Sequence, residues 1–166
     1  MNSKFRLEVL TNRNDSDVQL QAIYALNQSN IPEVGSLDSM EDLKKLIRLS
    51  AYSLLMFKGT EIVGFIICMR EGSTYGSENY KFFTKRLKKF LYVDRVVIDE
   101  RHRRAGLGKA IYHDIFNKAQ QDNLPIALEV NIQPINQPSL DFHEVMGFDR
   151  IGDKDFDDHS VAYFVK

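Results

Sequence analysis

Cysteine is nearly absent from this chain, with Cys68 the single one. One thiol closes no intramolecular disulfide and builds no multi-cysteine zinc site, so the composition points to a reducing compartment and to no metal centre of that kind. Long apolar runs are missing too. No segment reaches about 18 consecutive apolar residues, which excludes a membrane-spanning helix, and the first ten residues lack the apolar core and cleavage site of a secretory leader. Neither sign of charge is in excess: 22 basic and 23 acidic side chains leave a net charge of −1. That balance belongs neither to a general nucleic-acid binder nor to a membrane-surface protein. No repeat, low-complexity tract or Pro/Gly/Ser-rich linker divides the 166 residues, of which 43% are hydrophobic and 27% charged. The expectation is one cytoplasmic domain over residues 1–166, large enough to bury its own core.

What is present reads as an α+β pattern. Residues 5–10 form a short strand. In 16–28, Val18, Ala22, Ile23, Ala25 and Leu26 recur at helical spacing behind Asp15 or Ser16 as cap. Residues 39–49 repeat the pattern with Met40, Leu43, Leu46 and Ile47. Residues 51–57 and 61–69 are β-prone and joined by Lys58-Gly59-Thr60, a hairpin. Residues 71–90 read as a loop and a helical turn, 90–98 as a central strand, 106–121 as a helix and 126–132 as a strand. A short helix over 139–146 stops at Gly147, the acidic run 153–158 is a solvated turn, and 159–165 is the last strand. Helices and strands alternate only in the second half, which implies a mixed sheet.

The most informative stretch is Val96-Val-Ile-Asp-Glu-Arg-His-Arg-Arg-Ala-Gly-Leu-Gly-Lys109. A strand enters a basic loop, and two glycines fall where the next helix starts. Free amides and the positive end of the helix dipole suit a phosphate there, with Arg103, Arg104 and Lys109 adding charge. A P-loop would require glycine at 103 and Ser or Thr at 110, which are Arg103 and Ala110. A dinucleotide fingerprint from Gly106 would require glycine at 111, which is Ile111. Both fail, and two glycines alone are also compatible with a helix start that binds nothing.

Arg103-x-x-Gly106-x-Gly108 after a Val-Val-Ile strand resembles the acetyl-CoA signature of the GNAT superfamily of N-acetyltransferases. The segment Lys58-Gly-Thr-Glu-Ile-Val-Gly-Phe-Ile and the closing Phe142-His-Glu-Val-Met-Gly-Phe148 sit where that family has counterparts. The resemblance implies a mostly antiparallel, twisted mixed sheet with helices on both faces, and transfer of acetyl from acetyl-CoA to an amine. It implies that Val96, Val97 and Ile98 pair with the pantetheine arm. Arg103, Arg104, Ala105, Gly106, Leu107, Gly108 and Lys109 would take the pyrophosphate, chiefly through backbone amides.

A second constellation is Asn136, Ser139 and His143. Seven helical residues turn about 700°, so these side chains share a line. They point together at one place, the thioester end of the cofactor, although Asn136 is equally a helix N-cap. Phe142, Val145 and Met146 read as core. The resemblance puts His143 where many members carry a tyrosine that protonates the departing thiolate, and an imidazolium is acidic enough for that task. Asp94, on a strand with Tyr92, Val96 and Ile98, and Glu129, beside Asn131 on the next strand, are the candidate bases. Residues 75–86, with Tyr75, Asn79, Tyr80, Phe83 and Arg86, form either a substrate lid or a loop whose aromatics pack on the core. Cys68 reads as core. A non-catalytic acyl-CoA-binding or regulatory module is the alternative of a different class. The acceptor amine and the oligomeric state, a homodimer included, are left open.

Overall fold

A computed structural model describes residues 5–11 and 16–166. The elements follow in the order β1 (Phe5–Val9), α1 (Asp17–Gln28), α2 (Met40–Leu49), β2 (Tyr52–Lys58), β3 (Glu61–Arg70), α3 (Glu78–Thr84), β4 (Leu91–Ile98), α4 (Leu107–Asp122), β5 (Ile126–Gln133), α5 (Gln137–Val145), β6 (Asp149–Asp155) and β7 (Ser160–Val165). The seven strands form one sheet in the order β1-β2-β3-β4-β5-β7-β6. Every pairing is antiparallel except β4 with β5, which is parallel.

Local chemistry explains the helix starts. Ser16 caps α1 by accepting from the Gln19 amide, while the Gln19 side chain accepts from the Ser16 amide, a reciprocal pair that satisfies two orphan donors. Asp15, the other expected cap, lies outside the described residues. Ser39 and Ser77 cap α2 and α3 in the same way from one side. The helices sandwich the sheet. Leu20, Ile23 and Leu26 of α1, Leu43, Leu46 and Ile47 of α2, and Tyr80 and Phe83 of α3 pack on one face. Leu107, Ile111, Tyr112, Ile115 and Ala119 of α4 pack on the other, with Phe142 and Met146 beside them. Cys68 is fully buried in this second core, as expected.

Three expectations about the fold need correction. Val18 was assigned to the inner face of α1 and is 76% exposed; Asn27 is buried in its place. Val145, read as core, is 75% exposed. The run 153–158 is not simply a solvated turn, because Asp149–Asp155 is strand β6. This strand borders only β7 and keeps both faces largely wet, so it shows none of the alternation that marks a half-buried strand.

Candidate active site

The site begins where β4 and β5 part. Their parallel register holds only Leu91 to Ile126 and Tyr92 to Ala127. Beyond that point β4 stays paired with β3 through Ile98, and β5 turns to β7. The β5-facing edge of β4 over residues 94–98 is therefore left without a strand partner. Val96 and Ile98 are partly exposed and lean toward the α4 core, whereas Val97 is buried in the opposite one.

A bulge shapes this edge. Ile67 pairs with Arg95 and the adjacent Cys68 with Val93, so Asp94 is an extra residue. A bulge resets the side-chain alternation of its strand. Tyr92 packs in the first core and Val96 and Ile98 against the second, so simple alternation does not run through this strand. Asp94 instead accepts from Arg95 Nε at 2.7 Å, both side chains being buried. Arg95 also donates to Asn27 Oδ1 at 2.8 Å and to the Gly35 carbonyl at 3.2 Å. These contacts tie the α1–α2 connection to β4, and Asn131 on β5 ties it again by donating to the Pro32 carbonyl at 3.0 Å.

Glu129 lies on the other arm of the parting. The Tyr92 hydroxyl sits 2.9 and 2.8 Å from its two carboxylate oxygens, and Asn79 of α3 donates to Oε1 at 3.2 Å. Burial, reinforced by the charge of Asp94, pushes the Glu129 carboxyl up to about 8. Carboxyls stay neutral so far above their usual range only where desolvation outweighs hydrogen bonding. The two candidate bases therefore occupy one polar cluster on one face of the sheet. In the segment 75–86 Tyr80 and Phe83 are buried, as the core-packing alternative expects, and Asn79 reaches Glu129.

The basic glycine turn provides the second half of the site. Arg104 and Gly106 have φ of 61° and 79°, and Gly106 caps α4 without any side-chain hydrogen bond. Among the described residues, no backbone carbonyl accepts from the amides of residues 104–109; the first return bond of α4 is Ala110 to the Gly106 carbonyl at 3.1 Å. Gly106 is required by its left-handed backbone. Phe142 lies against Gly108, 3.4 Å from where a Cβ would stand. Arg104 and Lys109 are exposed. The Arg103 guanidinium donates to Asn30 Oδ1 and to the Ile98 carbonyl.

The Asn136–Ser139–His143 stripe is real, but its chemistry differs from the expectation. Asn136 caps α5, its Oδ1 accepting from the Ser139 amide at 3.2 Å. His143 is 4% exposed. Its Nδ1 lies 2.7 Å from the Ser139 carbonyl and its Nε2 lies 2.7 Å from the Tyr112 hydroxyl. A carbonyl can only accept, so Nδ1 carries the proton and Nε2 accepts from Tyr112. Burial pushes the imidazole down to about 4, and Phe142, Phe148 and Phe164 surround it. Burial thus disfavours the imidazolium that thiolate protonation requires.

Arg95 and Tyr112 escaped the sequence reading. An arginine inside Tyr-Val-Asp-Arg-Val-Val was the available signal for the first, since a strand interior holds such a charge only with partners. An open groove of about 600 Å³, between α1 and the β2–β3 end of the sheet, is lined by none of the candidate residues.

The fold resembles solved acetyltransferases. Ard1 from Thermoplasma volcanium superimposes with a TM-score of 0.75 at 16% identity, covering 98% of this chain and 97% of that one. Naa50 from Arabidopsis thaliana, in complex with the bisubstrate analogue CoA-Ac-MVNAL, gives 0.71 at 17% identity, with 98% of both chains covered. The ribosomal-protein-S18-alanine N-acetyltransferase from Escherichia coli gives 0.71 at 12%, covering 97% of this chain and 92% of that one. No curated protein sequence matches. The sequence pattern itself decides membership: the model of the acetyltransferase (GNAT) family matches residues 20–148, from α1 through Phe148, and the chain belongs to that family.

Proposed function

We propose that this protein transfers an acetyl group from acetyl-CoA to a primary amine by direct attack, as a single domain working in the cytoplasm. The observation that carries the reading is the unpaired edge of β4, which runs from the Asp94–Glu129 cluster toward the free amides of residues 104–109. A pantetheine arm lying along Val96, Val97 and Ile98 finds peptide groups to pair with, as an added strand would. The pyrophosphate then meets the N-terminus of α4, where unpaired N–H groups and the helix dipole favour anions. That places the thioester at the parting, beside Glu129.

Glu129 is the base in this reading. Its carboxyl titrates near the working pH, which suits proton transfer, while Asp94 is engaged by Arg95. The amine gives its proton to Glu129 and its nitrogen lone pair attacks the thioester carbonyl. The C–S bond breaks, CoA leaves as thiolate and takes up the second proton that the acylated nitrogen sheds, and the neutral amide is released. The bisubstrate analogue held by the Naa50 relative joins CoA to a peptide, which makes a peptide α-amine the first acceptor to try.

Thermal unfolding with acetyl-CoA, CoA, ATP and NAD tests the binding half. Ligand at about 100 times its dissociation constant adds about 2.7 kcal/mol, which raises Tm by roughly 5–10 °C for a domain of this size. Stabilisation by acetyl-CoA and CoA alone is expected. CoA release with the peptide MVNAL and a panel of small amines then tests transfer. Stabilisation without release from any amine identifies a binding module, and no stabilisation by either CoA form refutes the reading.

A further inference from the structure

Glu129 does not sit freely in its cluster. It is held from two sides by groups that belong to different elements. The Tyr92 hydroxyl, from β4, spans both carboxylate oxygens at 2.9 and 2.8 Å. On the other side Asn79, from α3, donates through Nδ2 to Oε1 at 3.2 Å, and its own Oδ1 accepts from the Tyr163 hydroxyl of β7 at 2.8 Å. This pair of bonds fixes the orientation of the amide, since only Nδ2 can donate and Tyr163 occupies the oxygen. Tyr163 is in turn clamped by Phe82, one turn along α3, whose ring stacks on it at 3.7 Å. The segment between β3 and β4 thus delivers one amide to one carboxylate through a braced chain.

We propose that Asn79, oriented by Tyr163, is a positioning residue that holds the Glu129 carboxylate in its reactive orientation. The inference rests on Glu129 being the base. Five titratable groups couple to Glu129: Asp94 and Tyr92 from β4, Tyr75 ahead of α3, Tyr112 from α4 and Tyr163 from β7; Arg95 of β4 enters the cluster through Asp94 and Tyr75. Asp94 opposes ionisation of Glu129, whereas the bonds from Tyr92 and Asn79 favour it. Loss of the Asn79 amide therefore moves Glu129 toward its neutral form.

Two readouts separate this role from plain structural support. The first is carboxyl 13C NMR of glutamate-labelled protein, with the Glu129 signal assigned by its loss in Glu129→Gln. The midpoint is expected to rise by about half to one pH unit in Asn79→Ala, one hydrogen bond to a carboxylate being worth about that much. Tyr163→Phe, which keeps the stacked ring and removes only the hydroxyl, gives a smaller rise. The second readout is the pH profile of kcat for acetylation of MVNAL, or of the best amine from the panel. Its acidic limb is expected to move with the NMR midpoint while KM for acetyl-CoA stays unchanged. An unmoved Glu129 midpoint in both variants, with unchanged melting temperatures, overturns the positioning role. A moved midpoint with an unmoved rate profile also overturns it and traces the failure to the base assignment, which full activity of Glu129→Gln would then confirm. If Asn79→Ala does not fold, Tyr163→Phe decides alone by the same two readouts.

Discussion

Lowering the pH should destabilise this protein through one buried imidazole. His143 is held neutral between the Ser139 carbonyl and the Tyr112 hydroxyl, with its pKa pushed down from 6.5 to about 4 by burial. In the unfolded chain the same ring takes up its proton near its ordinary value. The unfolded state therefore binds more protons between these two values, and stability falls as pH drops from about 6.5 to about 4. Linkage over those two pKa values gives a loss of about 2 kcal/mol between pH 7 and pH 5, and about 3 kcal/mol once both states are protonated. The assay is urea unfolding at pH 7, 6, 5 and 4.5 for the wild type and for His143→Gln. Glu129 and the other carboxylates titrate in both proteins, so the difference between the two profiles isolates the imidazole. The variant is less stable at pH 7 and is expected to close most of the gap by pH 5. Parallel profiles, or an NMR titration of His143 near 6.5 in the folded wild type, would refute the neutral assignment and restore His143 as a candidate acid.

Four further outcomes follow from the same geometry. In Gly64→Ala the new Cβ stands 2.8 Å from the Val97 carbonyl oxygen and from Ile98 Cδ1, so urea unfolding should show a loss of about 1–3 kcal/mol, together with weaker acetyl-CoA binding by calorimetry. Gly106→Ala meets no neighbour within 4 Å but must keep φ near 79°; the strain is about 1–2 kcal/mol, read as a lower Tm and a higher KM for acetyl-CoA. Glu129→Gln should reduce kcat by roughly 10²–10⁴-fold. In the wild type, the rate should climb with pH through about 8, because the carboxyl acts as a base only once ionised.

Much of the architecture was legible because its signals are local. The β2–β3 hairpin, the helix α4 and the glycine turn follow from alternation, helical spacing and two glycines at a strand end. The missed features are those whose cause lies far along the chain. Nothing in Tyr-Val-Asp-Arg-Val-Val announces that Asp94 is a bulge, since bulging is decided by pairing with Ile67 and Cys68. A helical wheel aligns Asn136, Ser139 and His143, yet it says nothing about what stands opposite; that is Tyr112, from another helix, whose hydroxyl meets the imidazole. Nor do the sequence neighbours of Arg103 show that its guanidinium reaches Asn30, far back along the chain. β6 was invisible because an edge strand that stays wet needs no apolar residues.

The parting of β4 and β5 also has a mechanical meaning. Among the described residues, two paired positions join the β1–β4 half of the sheet to the β5–β7 half by register, so the hydrogen-bonded ladder is narrowest at its middle, where side chains such as Tyr92 and Glu129 bridge the two halves. In the proposed binding mode, a ligand lying along residues 96–98 would add a rung to that ladder. Such a ligand would act as a structural member as well as a reactant, and product departure would reopen the seam. Amide exchange should register this as protection gained on β4 and β5 together, with the outer strands β1 and β6 indifferent to what is bound.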